Sequence, residues 1–136
     1  MSPRESQPPP EFLVDRSLGA VIVPNALTAR GHIVHTLRSV YGEAVARDIE
    51  DTTWLREAGN RGWIVLAKDE RIRRRQNELH AIQTAGVKAF YLTAGGLKGD
   101  VQAAIIVKHI NRIIQRSRQP GPMIWAVTQA GLRRVL

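Results

Sequence analysis

Three aspartates stand at points where the local sequence pattern changes. Asp15 follows the apolar run Phe12-Leu13-Val14, Asp69 closes the largely apolar run 63–68, and Asp51 opens a helical pattern. In an open parallel α/β sheet, the carboxyl ends of the strands share one edge, and ligands bind there. Three acids on that edge would repel each other unless a divalent cation neutralised them. The pattern therefore predicts a site for a hard divalent cation.

Each aspartate also has a purely structural interpretation. Asp15 suits a turn or the N-cap of a helix, and Asp51 suits the N-cap of the segment that follows it. Asp48 lies three residues before Asp51, so on a continuous helix the two would share a face. Either Asp48 is a ligand of the cation, or Asp51 is the ligand while Asp48 faces solvent. Asp69 is harder to explain structurally, because charges of both signs flank it.

A basic run follows Asp69 directly and consists of Arg71, Arg73, Arg74 and Arg75. It is either a solvated helix start or a phosphate clamp beside the metal, because guanidinium groups match phosphate oxygens. Lys68 or Arg71 would neutralise a phosphate oxygen. Histidine and cysteine patterns for zinc are absent from the sequence, and so are nucleotide-phosphate loops. Trp54 and Trp63 are predicted to pack in the core rather than to stack on bases.

The chain has 136 residues, a length that suits one domain. It contains no cysteine, which suits a reducing cytoplasm. It holds no 18-residue apolar stretch, so no membrane span is predicted. The net charge of +8 is uneven: residues 1–70 carry a net −2 and residues 71–136 a net +10. This asymmetry favours a polyanionic partner, for which nucleic acid is the first choice.

The order of the elements predicts an α/β fold with a central parallel sheet of about four strands and helices on both faces. The predicted strands are Phe12–Val14, Ile33–Leu37, Trp63–Ala67 and Val87–Thr93. The predicted helices are Pro24–Arg30, Glu43–Ala58 with a break near Asp48, Asn77–Ala85 and Val101–Arg116. A C-terminal β-hairpin of Met123–Thr128 and Leu132–Leu136 completes the prediction. Residues 1–10 are expected to form a flexible arm, 11–117 the main domain and 118–136 the hairpin extension.

The sequence resembles PIN-like nucleases, in the branch of VapC-type toxin ribonucleases, over about residues 11–117. The matching pieces are Phe12–Gly19, Pro24–Leu27, Gly31–Val34, Asp51–Leu55 and Gly62–Asp69. The order and spacing of the acids carry the resemblance more than any single motif does. In this family a fourth acid normally follows the third, and Glu70 or Asp100 would take that place here.

The resemblance implies a cytoplasmic endoribonuclease that depends on Mg²⁺ or Mn²⁺ and acts as the toxin of a type II toxin–antitoxin pair. It also implies RNA as substrate, a small antitoxin protein as partner, and a homodimer. The predicted metal ligands are Asp15, Asp51, Asp69 and Asp48, binding one or two ions. Asp15, Asp51, Asp69 and Lys68 are the predicted catalytic residues, and the basic run is the predicted RNA contact.

Two other functions fit the same residues. One is a non-catalytic nucleic-acid-binding domain with this fold, which would bind RNA without a metal requirement and without cleavage. The other is a different metal-dependent phosphoesterase or DNA nuclease, which would prefer small phosphoesters or structured DNA.

Overall fold

Strands and helices alternate along the chain, and the computed structural model describes residues 8–68, 75–93 and 97–136. The strands are β1 (Glu11–Val14), β2 (Ile33–Thr36), β3 (Ile64–Ala67), β4 (Lys88–Leu92), β5 (Met123–Val127) and β6 (Leu132–Arg134). The α-helices are α1 (Ile22–Thr28), α2 (Leu37–Tyr41), α3 (Glu43–Asp48), α4 (Asp51–Arg61), α5 (Gln76–Ala85) and α6 (Gly99–Ser117). A short 3-10 helix, Arg16–Leu18, follows β1. The predicted N-terminal arm lies outside the described residues, except for Pro8 to Pro10.

The strands form one sheet in the order β2-β1-β3-β4-β5-β6. β1 to β5 are parallel to their neighbours, and β6 runs antiparallel to β5. Val14 lies beside Leu66, and Leu66 lies beside Phe90, so the carboxyl ends of β1, β3 and β4 reach the same edge. The predicted parallel sheet and the C-terminal hairpin are therefore confirmed. β5 also pairs in parallel with β4, which makes five parallel strands rather than about four.

Side chains of the sheet alternate between two hydrophobic cores, as the period of a strand requires. Phe12, Val14 and Leu66 face one core, which α1 and α6 cover. Leu13 and Val65 face the other, which is closed by residues of α2, α4 and α5. The prediction of helices on both faces is confirmed. In the described ranges, no helix is long and apolar enough to cross a bilayer.

The chain between β2 and α4 contains two short helices. α2 was not predicted, and it begins at a reciprocal cap: Ser39 N donates to Thr36 Oγ1 at 3.1 Å, and Thr36 N donates to Ser39 Oγ at 2.9 Å. This cap ends β2 at Thr36. Leu37, which was predicted to be the last residue of the strand, is therefore the first residue of α2. The predicted break near Asp48 is present, because Ile49 and Glu50 have extended backbone angles between α3 and α4.

Helices α4 and α5 pack together closely at their carboxyl ends. A Cβ atom on Gly59 of α4 would lie 2.5 Å from the carbonyl oxygen of Ala85 and 2.8 Å from its Cβ. Any side chain at this position would push α5 away. The absence of a side chain on Gly59 therefore sets the spacing of the two helices, whose N-terminal ends carry acidic residues at the edge of the sheet.

Candidate active site

Two of the predicted acids lie at the carboxyl edge of the parallel sheet. Asp15 follows β1 directly, and its backbone N–H donates to the carbonyl oxygen of Leu66 at 2.8 Å. This bond fixes Asp15 beside the end of β3. Asp51 is the first residue of α4, where a negative side chain interacts favourably with the helix dipole. The negative charge of Asp51 helps to raise the pKa of Asp15, so the two carboxylates lie within electrostatic range of each other.

The Asp15 carboxyl group is mostly buried, and one of its two oxygens is held by a neighbour. Ser17 Oγ donates to Asp15 Oδ2 at 2.8 Å and accepts from the backbone N–H of Lys68 at 3.0 Å. Asp15 Oδ1 is also buried, and within the described ranges it has no hydrogen-bond partner. Burial raises the pKa of Asp15, the Ser17 hydrogen bond lowers it, and the charge of Asp51 raises it further. Such an oxygen needs either a proton or a cation.

The side chain of Asp51 is oriented by a hydrogen bond from the core residue Trp54. Trp54 is 1% exposed, and its indole Nε1 donates to Asp51 Oδ1 at 2.9 Å. The structure thus places Trp54 in the core, as the sequence predicted. Arg16 and Arg75 lie further away, each with a guanidinium nitrogen 3.9 Å from an Asp51 oxygen. Asp51 therefore keeps an exposed side that is available to a ligand.

Glu78 is the acid that sequence reasoning missed. It lies in the first turn of α5 and is buried at 7% exposure. Arg75 Nη1 donates to its Oε1 at 3.2 Å. Burial, followed by hydrogen bonding to Asp51 and the charge of Asp51, raises the pKa of Glu78 to about 7, and Arg75 opposes this shift. An open cleft lined by Arg16, Asp51, Arg75 and Glu78 lies at this point.

The two residues predicted as the fourth acid, Glu70 and Asp100, lie on either side of Glu78 in the sequence. Asp100 is exposed in the first turn of α6, where its side chain accepts from the N–H of Val101 at 3.0 Å. Glu70 lies outside the described residues. The signal for Glu78 was its place in the first turn of the next helix, since that turn begins at the same edge of the sheet.

The remaining predicted site residues have different placements. Asp48 ends α3 and is exposed, and the break after it removes the shared helix face that was to align it with Asp51. Lys68 is partly buried after β3. Arg75, the one member of the basic run that the structure describes, contacts Asp51 and Glu78. Outside the described residues lie Asp69, Arg71, Arg73 and Arg74.

Arg16 connects the break between α3 and α4 to the carboxyl end of β1, which Asp15 follows. Its guanidinium group donates to the carbonyl oxygen of Ile49 at 3.0 Å and to that of Arg47 at 3.5 Å. These carbonyls close the end of α3, where the helix dipole favours a cation. Arg16 therefore fixes the start of α4, and with it Asp51, relative to β1.

Carboxylate oxygens are the ligands that a hard cation prefers. The described residues include only part of the predicted set of ligands. Within residues 8–68, 75–93 and 97–136, no group of three or more histidine, aspartate or glutamate side chains has the arrangement of a metal site. The predicted set includes Asp69, which lies outside those ranges. The described residues do show a buried oxygen of Asp15 that none of them hydrogen-bonds, and a second carboxylate whose charge raises the pKa of Asp15.

A parallel α/β sheet with acids at its carboxyl edge is the arrangement that the sequence resemblance implied. Residues 10–94 match the family described as "PIN like domain". The chain therefore belongs to the PIN-like domain family, and the predicted resemblance to its VapC-type branch is confirmed.

One relative is similar over nearly its whole length. The chain is 35% identical over 125 residues to the Mycobacterium tuberculosis protein named "Putative ribonuclease VapC45". The alignment covers 92% of this chain and 91% of that protein. No solved structure matches the chain at a significant level.

Proposed function

We propose that this protein is a divalent-metal-dependent endoribonuclease and the toxin of a type II toxin–antitoxin pair. The observation that carries the proposal is the buried Oδ1 of Asp15, which has no hydrogen-bond partner among the described residues and lies near Asp51 at the carboxyl edge of a PIN-like sheet. The name of the relative, which describes a ribonuclease of the VapC type, supports RNA as the substrate.

Asp15, Asp51 and Asp69 would hold the cation, Mg²⁺ or Mn²⁺, and we add Glu78 as a fourth acid in place of Asp48. Hard divalent cations prefer carboxylate oxygens. The buried Asp15 Oδ1 supplies one such oxygen, and the exposed side of Asp51 supplies another. Asp51 helps to raise the pKa of Glu78, so the two carboxyl groups influence each other. The chemistry that such a cation supplies when bound is neutralisation of charge on the phosphate and activation of water.

The protein's own side chains would hold the carboxylates in place and position the RNA. Ser17 fixes the rotation of the Asp15 carboxylate, and Trp54 does the same for Asp51. Residues that orient metal ligands in this way tune the site as strongly as many ligands do. Lys68 would neutralise a phosphate oxygen from the end of β3.

The basic run of Arg71, Arg73, Arg74 and Arg75 would hold the RNA backbone beside the acids. Arg75 supports this, because its guanidinium is 54% exposed while it reaches Asp51 and Glu78. Phosphate contacts position the strand without reading its bases. Changing the four arginines to glutamine should weaken binding about equally for unrelated RNA sequences.

A cytoplasmic location, a small antitoxin partner and a homodimer complete the proposal. The relative of the VapC type supports the antitoxin partner. Expression of the chain alone should stop bacterial growth if it is a toxin, and expression of its Asp15→Asn variant should not. Growth arrest by both forms would contradict a toxic activity that depends on the acidic site.

The direct test is incubation of the purified protein with labelled RNA in Mg²⁺, in Mn²⁺ or in EDTA. Cleavage is expected with either metal and not in EDTA. Asp15→Asn and Asp69→Asn should abolish cleavage with the fold intact, because asparagine keeps the size of the side chain but not its charge. Glu57→Gln is the matched control: Glu57 lies on α4 but pairs with Arg61 on the surface, so this variant should cleave normally.

The outcomes separate the three functions. RNA binding without cleavage, and with no effect of metal, would identify a non-catalytic domain. Metal-dependent cleavage of structured DNA or of small phosphoesters, with RNA left intact, would identify another phosphoesterase.

A further inference from the structure

A row of basic side chains lies on the exposed face of α6, away from the acidic site. Lys108, Arg112 and Arg116 are all exposed and follow one another at intervals of four residues. With a rise of about 1.5 Å per residue, their backbone positions are about 6 Å apart along one face. The buried face of the same helix is largely apolar and packs on the sheet.

The hairpin at the end of the chain continues this row. The guanidinium carbons of Arg116 and Arg134 lie 5.5 and 5.7 Å from the ring centroid of Trp125, so one indole holds both cations. Lys108 Nζ donates to the carbonyl oxygen of Gln129, in the turn between β5 and β6, at 3.0 Å. Lys108, Arg112, Arg116 and Arg134 therefore form one surface across α6 and β6, here called the C-terminal basic surface.

The charge of this surface is not balanced locally. Residues 101–136 contain six lysines and arginines and no aspartate or glutamate. Among the described residues, none of the four side chains of the C-terminal basic surface pairs with an aspartate or glutamate, and Arg134 Nε donates to the backbone oxygen of Leu136 at 3.0 Å. Four cations at short intervals without acids repel one another, so a polyanion is the ligand that would stabilise them.

The surface is separate from the acidic edge. β6 is the last strand of the sheet and lies three strands from β3. Neighbouring strands are about 4.8 Å apart, so the separation across the sheet is about 14 Å. A ligand on the C-terminal basic surface would not touch Asp15 or Asp51, but a chain several nucleotides long could reach both.

We propose that the C-terminal basic surface binds the phosphate backbone of RNA several nucleotides from the bond that is cut. That RNA is the polyanion rests on the proposed function. Guanidinium forks match phosphate oxygens, and an arginine already stacked on an indole loses less freedom when it binds. A second copy of this chain fits poorly, because Arg133 and Arg134 on the exposed edge of β6 would meet the same charges.

The test measures binding without cleavage. A fluorescent uridine 20-mer is titrated in EDTA with the full chain at several salt concentrations. The variant Lys108→Gln/Arg112→Gln/Arg116→Gln is compared with Arg30→Gln/Arg38→Gln/Arg56→Gln. The control removes the same charge from exposed positions on other elements. Each lost phosphate contact lowers the slope of log affinity against log salt by about 0.7 for a single strand, so the first variant should lose about 2.

Two further arms make the result decisive. Arg112→Lys/Arg116→Lys keeps the charge and should retain the slope, which excludes misfolding as the cause of a loss. An equal slope for the Lys108/Arg112/Arg116 variant and its control would overturn the proposal. In the second arm, binding of polyglutamate is measured with the same proteins, and a variant that loses binding to polyglutamate but keeps binding to RNA would also overturn the proposal. The binding assay contains EDTA, so it does not depend on cleavage. A protein that binds RNA as expected in this assay, but does not cut RNA when Mg²⁺ or Mn²⁺ is present, would contradict the proposed function and not this proposal.

Discussion

Glu78 and Asp51 interact through their carboxyl groups although they belong to different helices. Arg75 Nη1 lies 3.9 Å from Asp51 Oδ2 and 3.2 Å from Glu78 Oε1, and the interaction with Asp51 favours the protonated form of Glu78. Gly59 allows α4 and α5 to approach each other, and Arg75 reaches both carboxyl groups. This pair therefore joins the candidate site to the packing of two helices, and we expect the stability of the protein to depend on pH through it.

The first prediction concerns stability against pH in the absence of metal. The pKa of Glu78 rises from 4.5 to about 7 on folding, so between these values the folded protein binds more protons than the unfolded chain. The free energy of unfolding should therefore fall as pH rises through this window, by up to about 1.4 kcal/mol per pH unit from this group. Urea unfolding in EDTA at pH 5, 6, 7 and 8 measures the slope.

Glu78→Gln tests the assignment, because glutamine cannot titrate. Its unfolding free energy should depend less on pH than that of the wild type, while Glu57→Gln should keep the wild-type dependence. The raised pKa of Asp15 acts in the same direction in all three proteins. Identical slopes for wild type and Glu78→Gln would contradict the assignment.

The second prediction is that Mg²⁺ stabilises the protein more at pH 8 than at pH 5.5. Burial and the charge of Asp51 raise the pKa of Asp15, so protons compete with a cation for its carboxylate. Melting temperatures with and without Mg²⁺ at both pH values measure the difference. Asp15→Asn should remove most of the Mg²⁺ effect at pH 8. A Mg²⁺ effect that is unchanged in Asp15→Asn would place the cation elsewhere.

The third prediction concerns Ser17, which holds Asp15 and the backbone of Lys68. Ser17→Ala should lower metal-dependent cleavage by about 10- to 100-fold, as loss of a residue that orients a metal ligand does. It should cost only about 1 kcal/mol of stability. Ser39→Ala is the control, because it removes a hydroxyl of similar structural value from the cap of α2. Equal activity losses in both variants would show that Ser17 acts through stability alone.

The sequence predicted those features that depend on local pattern. Alternating apolar runs identified the strands, and Asp15 could be placed at the end of β1 because the run before it ends there. Local pattern places Glu78 in the first turn of a helix, but it does not place Glu78 beside Asp51. Its role depends on the distance between α4 and α5, which Gly59 and Ala85 set, and no local pattern encodes a contact between residues of two helices.

The pairing of Asp48 with Asp51 and the place of β5 show the same limit. The break near Asp48 was predicted. The position of Asp51 after the break depends on Arg16, which donates hydrogen bonds to the carbonyl groups at the break. β5 was predicted as half of a hairpin. Its parallel pairing with β4 joins distant parts of the chain, and the continuous apolar run Met123–Val127 was the available signal in the sequence.

The last prediction tests the spacing of α4 and α5 through Gly59→Ala. The added Cβ would lie 2.5 Å from the carbonyl oxygen of Ala85, so α5 must shift, at a cost of roughly 1–3 kcal/mol. The shift would move Glu78 relative to Asp51 and lower metal-dependent cleavage. Asn60→Ala is the control, since this exposed neighbour on α4 gains helix propensity without a clash. Melting curves and cleavage rates are compared for both variants. A Gly59→Ala protein as stable and active as Asn60→Ala would show that the close approach of α4 and α5 does not set the geometry of the site.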